Sequence, residues 1–273
     1  MRVAYQGARG AYSEAALRQQ FGARAAALPC ALSEHVFDAV ETGAADRGIL
    51  PVENTIVGNV DVNADLFLRR KVFVIRESFL KIEHCLLAAP SARLRDLKTV
   101  YSHPVALAQC RDFIRARRLK ALPEYDTAGA AELVAKRATP DAAAIASSLC
   151  AEAYGLKILR KNIQSYRNNI TRFLTFVRQD RIPSRVKMEK TSLAFSTRHR
   201  PGALLSCLQS LAEHRINLTR LESRPIPENP FEYFFYVDFI GGMNDAEVSG
   251  ALRALRRDAR RVKIIGSYPI AAR

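Results

Sequence analysis

A recurring unit constrains the fold of this chain more than any other feature: a short β-prone run followed by a segment with helical spacing. Val3–Tyr5 precedes the glycine-bearing turn Gln6–Gly10 and the helical stretch Ser13–Phe21. Ala25–Leu28 leads to a helix that Ser33 caps and that runs to Glu41; Arg47–Leu50 is a strand ending at Pro51. Val60–Arg69 reads as helix and Val72–Ile75 as strand. From Ile82 the pattern restarts, with strands at Leu86–Ala88, Thr99–Ser102, Leu119–Glu124 and Ala142–Ile145 and helices at Pro104–Arg117, Ala128–Arg137 and Ser147–Tyr154. Alternation of this kind predicts an α/β fold with mostly parallel sheets. Two such blocks in residues 1–180, the second over 80–157, predict two lobes with a cleft for a small ligand between them.

The rhythm changes after residue 180. Arg181–Lys190 (RIPSRVKMEK) has no apolar period and reads as a linker over 181–190. Then follow a strand at Thr191–Ser196, a helix at Gly202–His214 and strands at Ile216–Leu221 and Tyr233–Phe239. Asp245 caps a helix at Ala246–Arg257, and Val262–Ile265 closes the series as a strand. The order βαββαβ over 191–273 is the ferredoxin-like arrangement.

Composition excludes several classes. With 48% hydrophobic and 25% charged residues the chain is neither disordered nor, lacking a long apolar run, a helical membrane protein. Its opening, Met-Arg-Val-Ala-Tyr-Gln-Gly, has no apolar secretory core, which predicts a cytoplasmic protein. The five cysteines (Cys30, Cys85, Cys110, Cys150, Cys207) are scattered and read as reduced core thiols. His35, His84, His103, His199 and His214 share no zinc-ligand spacing and read as surface or packing residues, so no metal is expected. No P-loop is present, and Gly7-x-x-Gly10 lacks the third glycine of a dinucleotide fingerprint, so no cofactor is expected either. The formal net charge of +15 divides into +8 for residues 1–180 and +7 for 181–273. Spread in this way, and without interleaved aromatics, it reads as a solvated surface and not as a nucleic-acid platform.

Four polar segments fall at predicted strand ends: Pro51-Val52-Glu53-Asn54-Thr55, Tyr101-Ser102-His103-Pro104 with Gln109, Asp126–Ala130, and Asn169-Ile170-Thr171-Arg172-Phe173. Each alone is a capped turn. Together, on the edge where open α/β sheets bind ligands, they predict a shared anion-binding cleft.

On these residues the chain resembles the bacterial prephenate dehydratase family. Asn169-x-Thr171-Arg172-Phe173 is similar to its Asn-x-Thr-Arg-Phe signature, and Pro51–Thr55 with Gly58 to its Pro-[Val/Ile]-Glu-Asn-[Ser/Thr] segment. Tyr5-Gln6-Gly7 through Gly10, Tyr12 and Ser13 resembles its N-terminal loop; Tyr101–Pro104 with Gln109-Cys110, and Thr127–Ala131, resemble further segments. Pro201-Gly202-Ala203-Leu204 and Glu222-Ser223-Arg224-Pro225 are similar to the phenylalanine-binding motifs of the family's C-terminal ACT domain. Val105 stands where the family commonly has Gln, and Ser165, Tyr166 and Arg167 stand where acidic residues are frequent.

The resemblance implies a two-lobed catalytic domain like a periplasmic binding protein, an ACT domain, and a homodimer or homotetramer. It implies decarboxylating dehydration of prephenate to phenylpyruvate, feedback-regulated by L-phenylalanine, with no cofactor, nucleic acid or membrane partner. Arogenate, with an amino group in place of the keto group, is the alternative substrate, and a non-catalytic amino-acid sensor is the rival from another class. Thr171 is implied as the acid that protonates the departing hydroxyl, with Glu53 its rival if burial keeps it protonated. Arg172, with its planar fork, is expected to grip the pyruvyl carboxylate. Asn54, Thr55, Ser102, Gln109 and Asn169 are expected to orient the substrate, Gly7 and Gly10 to offer backbone N–H groups, and Phe173 to pack. Gly202, Ala203, Leu204, Asn217, Leu218, Glu222, Ser223 and Arg224 are expected at the phenylalanine site.

Overall fold

In the N-terminal part, β-branched and aliphatic runs form strands where both faces are covered, and segments with one apolar stripe form the helices that cover them. The computed structural model describes residues 1–226 and 229–272. The elements run β1 (Arg2–Gln6), α1 (Tyr12–Phe21), β2 (Ala26–Cys30), α2 (Ser33–Glu41), β3 (Arg47–Asn54), β4 (Gly58–Asn59), α3 (Asp61–Arg69), β5 (Val72–Lys81), β6 (Cys85–Ala88) and β7 (Thr99–Ser102). They continue with α4 (Pro104–Gln109), α5 (Arg111–Ala116), β8 (Lys120–Pro123), α6 (Thr127–Arg137), β9 (Ala142–Ala146), α7 (Leu149–Tyr154), β10 (Lys157–Arg160) and β11 (Ile170–Arg178). Last come β12 (Lys190–Ser196), α8 (Ala203–Glu213), β13 (Leu218–Ile226), β14 (Asn229–Ile240), α9 (Ala246–Asp258) and β15 (Arg261–Tyr268). These elements form two compact units, residues 1–63 with 78–173 and residues 64–77 with 174–273.

In the first unit, β1 pairs in parallel with both β2 and β3, and the start of β11 lies beside β3. A second sheet has the order β10-β6-β9-β7-β8. Here the expectation of mostly parallel sheets is corrected. β7 is parallel to β8 and β9, but β6 runs antiparallel to both β9 and β10. Periodicity reports which residues are buried, not strand direction. The expected single helix over 104–117 is two, α4 and α5, meeting at Cys110. All five cysteines are free, and burial pushes the Cys110 and Cys150 thiols up to about 12.

The second unit has the expected βαββαβ order, with strands arranged β13-β14-β12-β15 in antiparallel pairs. Leu193, Phe195, Val237 and Phe239 face α8 and α9, where Cys207, Leu211, Val248 and Leu255 complete the core. On the other side of β15, Gly266 lies opposite Val74 of β5. A Cβ at Gly266 would come within 2.4 Å of the Val74 carbonyl oxygen, so this approach requires glycine. Lys190, the last residue of the expected linker, opens β12 and is buried against Glu77.

Candidate active site

Strands β3 and β11 meet at their polar ends, and two cross-strand pairs one residue apart define the site. Asn54 reaches Thr171: its Nδ2 donates to Thr171 Oγ1 at 2.9 Å and to Asn169 Oδ1 at 2.7 Å. Glu53 reaches Arg172, with Oε2 and Nη1 3.7 Å apart. Successive side chains on a strand point to opposite faces, so these two pairs lie on opposite faces of the sheet. The structure therefore brings Asn54, Asn169 and Thr171 together and turns Glu53 and Arg172 away from them. The Glu53 side chain is 44% exposed, so the burial its rival role requires is missing.

The amide orientation of Asn54 is determined. Its Oδ1 accepts the backbone N–H groups of Ile56 and Val57, both at 3.0 Å, which leaves Nδ2 to face Thr171 and Asn169. Asn169 is fully buried and donates from Nδ2 to Gln109 Oε1 at 2.9 Å. Gln109 Oε1 also lies 2.7 Å from His84 Nε2, and His84 Nδ1 lies 2.7 Å from the Tyr12 hydroxyl. Burial pulls the His84 imidazole below its ordinary value and pushes the Tyr12 phenol well above its own, so both are neutral. The result is an uncharged hydrogen-bond chain ending on Thr171. Because Asn54 occupies a lone pair of Thr171 Oγ1, the hydroxyl proton is directed away from the chain.

The other expected residues are engaged locally. The Thr55 hydroxyl donates to the Asn168 carbonyl at 2.8 Å and accepts from the Ile170 N–H, stitching β3 to β11. Ser102 is fully buried and donates to the Ile145 carbonyl at 2.6 Å. Phe173 packs in the core with Tyr5 and Ile49. Gly7 N–H binds the Cys30 carbonyl and Gly10 N–H binds Glu14, so neither is open to a ligand. Burial pushes the Glu14 carboxyl up, but the Gly10 N–H, Arg18 and the Tyr5 hydroxyl together hold it below its ordinary value. Asp126 caps α6 at Gly129 and reaches Ala8 N–H at 3.4 Å. Sequence reasoning placed His84 among surface or packing residues. Tyr12 and Gln109 lie far from it along the chain, and no spacing motif links the three.

In the second unit, Gly202 has φ +78° and caps α8, with Ala203 buried behind it. Glu222 pairs with Arg220, and Arg224 grips Asp65 through Nε at 3.3 Å and Nη2 at 2.9 Å. Arg224 also lines a cavity of about 530 Å³ with Phe234, Arg260 and Arg261. Glu222 and Arg224 pair with Tyr236 and Phe234, on the face away from α8 and α9. One copy of this unit thus does not bring Gly202–Leu204 and Glu222–Arg224 together. Asn217 accepts the Ile240 N–H through its carbonyl, and Leu218 packs against the core below α8.

A family model described as prephenate dehydratase matches residues 3–181. The chain belongs to the prephenate dehydratase family. It is therefore an enzyme, a carbon–oxygen lyase. Over 279 residues it is 42% identical to an arogenate dehydratase/prephenate dehydratase of Arabidopsis thaliana designated chloroplastic, covering 99% of this chain and 73% of that protein. Among solved structures, one described as a novel type of quorum quenching acylase, GqqA, superposes with a TM-score of 0.91 at 35% identity, covering 99% of this chain and 98% of that one. A prephenate dehydratase from Arthrobacter aurescens in complex with L-Phe superposes with a TM-score of 0.89 at 32% identity, covering 98% and 89%. The two-lobed α/β class expected from the sequence is the class of these prephenate dehydratase structures. Relatives in both plants and a bacterium carry the family, so the restriction to bacteria falls away. The cytoplasmic expectation is contradicted by the Arabidopsis relatives, which are designated chloroplastic. The missing apolar secretory core did not test this, because plastid-targeting segments are amphipathic and have no such core.

Asn54→Asp is expected to lower kcat about 10²–10³-fold. It would replace the donor facing Thr171 with an acceptor, which would recruit the Thr171 proton. Steady-state kinetics checks this.

Proposed function

We propose that this prephenate dehydratase family member acts on prephenate, releasing water and carbon dioxide to give phenylpyruvate, with arogenate as the alternative substrate. The observation that carries the reading is the Thr171 hydroxyl, which accepts from Asn54 and so presents its proton outward. As carbon dioxide leaves, the electron pair of the breaking C–C bond enters the ring and the ring C–O bond breaks. Thr171 gives its proton to the departing hydroxide, which leaves as water, while Asn54 Nδ2–H stabilises the charge developing on Oγ1. Thr171 then recovers a proton from solvent. A threonine hydroxyl is a weak acid, so transfer is concerted with C–O cleavage. In this reading Arg172 acts from the opposite face, holding β11 to β3 through Glu53.

Residues 1–180 form the catalytic domain in this reading, 181–190 the linker and 191–273 an ACT domain that binds L-phenylalanine. The separation of Gly202–Leu204 from Glu222–Arg224 within one copy supports a ligand held between paired copies, hence a homodimer or homotetramer. The acylase relative suggests another chemistry, but both ring nitrogens of His84 are engaged, so it is not placed as base for a hydroxyl nucleophile.

The test measures turnover of both substrates by the ultraviolet absorbance of phenylpyruvate and by phenylalanine formation, with and without added L-phenylalanine. Turnover of at least one substrate is expected; turnover of neither removes the reading.

A further inference from the structure

Every hydrogen bond between Tyr12 and Thr171 has a determined direction. Ile56 and Val57 fix Asn54, so Asn169 must present Oδ1 to Asn54 and Nδ2 to Gln109. Gln109 must then present Oε1, and an imidazole facing that oxygen at 2.7 Å must carry its proton on Nε2. A neutral imidazole protonated there has its lone pair on Nδ1, where the Tyr12 hydroxyl sits at 2.7 Å, closer than the Glu83 carbonyl at 3.2 Å that is the hydroxyl's other acceptor. His84 is 2% exposed, so its orientation cannot be satisfied by solvent instead. Were Gln109 to flip, its Nε2 would face Asn169 Nδ2, donor against donor. Were Asn169 to follow, its Nδ2 would face Asn54 Nδ2, which cannot turn. Any reversal at His84 therefore breaks the chain at the His84–Gln109, the Gln109–Asn169 or the Asn169–Asn54 link.

We propose that His84, held in its Nε2-protonated form by Tyr12, is a positioning residue for the dehydration. With the amide orientations dictated from Asn54, it completes the far end of the chain, holding Gln109 and so Asn169 in place, and thereby steadies the Asn54 amide that meets Thr171. This inference rests on the reading of Thr171 as the proton donor. His84 touches no reacting atom; its effect is on how often Thr171 stands ready, which is a kcat effect with little change in substrate binding.

The test uses the full chain and whichever substrate the wild type turns over. His84→Leu removes both ring nitrogens and is expected to lower kcat about 100-fold with KM within about threefold. His84→Gln returns an N–H near the position of Nε2 and is expected to recover about tenfold of that loss. Tyr12→Phe is expected to lower kcat about tenfold, and nitrogen-15 spectra of His84 should pass from one Nε2-protonated form to a mixture. The proposal is overturned by wild-type kcat in His84→Leu or Tyr12→Phe, by His84→Gln no better than His84→Leu, or by a wild-type imidazole protonated on Nδ1. If His84→Leu does not fold, Tyr12→Phe and the spectra decide. A wild type inactive on both substrates overturns the proposed function instead, whereas an active wild type with unaffected variants overturns this inference alone.

Discussion

Thr171→Val is expected to lower kcat about 10³-fold while KM stays within about threefold. Valine keeps the shape of threonine and removes only the hydroxyl. The substitution does not strand the neighbouring amide, because Asn54 Nδ2 retains Asn169 Oδ1 at 2.7 Å and the Ile170 carbonyl at 3.3 Å. Nothing else among the described contacts depends on Oγ1, so the melting temperature is expected to change little. A loss of kcat with intact folding therefore reports the proton and not the scaffold. Thr171→Ser restores a hydroxyl without the methyl group that fixes its rotamer, and intermediate turnover is expected. Wild-type turnover in Thr171→Val would remove Thr171 as proton donor. A raised KM with normal kcat would make it a binding group instead.

How much of this was legible in the sequence depends on which period each residue obeyed. Strand β13 alternates along its length, and the βαββαβ order of β12–β15 followed from spacing alone. Thr99–Ser102 appears as expected because a short β-branched run sits directly before a proline-led helix. The signature 169–173 misled in one respect. Read as a polar turn before an apolar run, it placed Thr171 and Arg172 in one cleft. It is strand from Ile170 onward, and the period of two sends the adjacent side chains to opposite faces. Had the strand been extended four residues toward the N-terminus, the separation of Arg172 from Thr171 would have followed without coordinates. The pairing of Glu53 with Arg172, and of Asn54 with Thr171, follows from the same alternation on β3. Tyr12 and His84 had no such signal. Residues 72 positions apart meet only because the two lobes of one unit fold against each other. A lone histidine beside Cys85-Leu86-Leu87 has the same local pattern whether it packs or orients a network.

Lys190 gives the largest stability prediction, and it also comes from a residue misread by composition. In RIPSRVKMEK it looks like one more linker cation. Its Nζ instead lies 2.9 Å from Glu77 Oε2, with the two side chains 8% and 1% exposed. Glu77 also accepts the Ala271 N–H at 3.4 Å. Two charges have been taken out of water here, and their mutual attraction offsets that cost only while both are present. Lys190→Met should therefore destabilise the second unit by roughly 3–5 kcal/mol, because it removes the ammonium that lies against the buried Glu77 carboxylate. Removing both charges in Lys190→Met/Glu77→Leu should recover most of the loss, since an apolar pair of similar volume has no desolvation cost to offset. Urea unfolding of the full chain measures both variants. A single variant that loses less than about 1 kcal/mol would class the pair with solvent-screened surface bridges. A double variant as unstable as the single would shift the explanation to packing: the Lys190 stem would then matter for the volume it fills beside β5, and its charge would not.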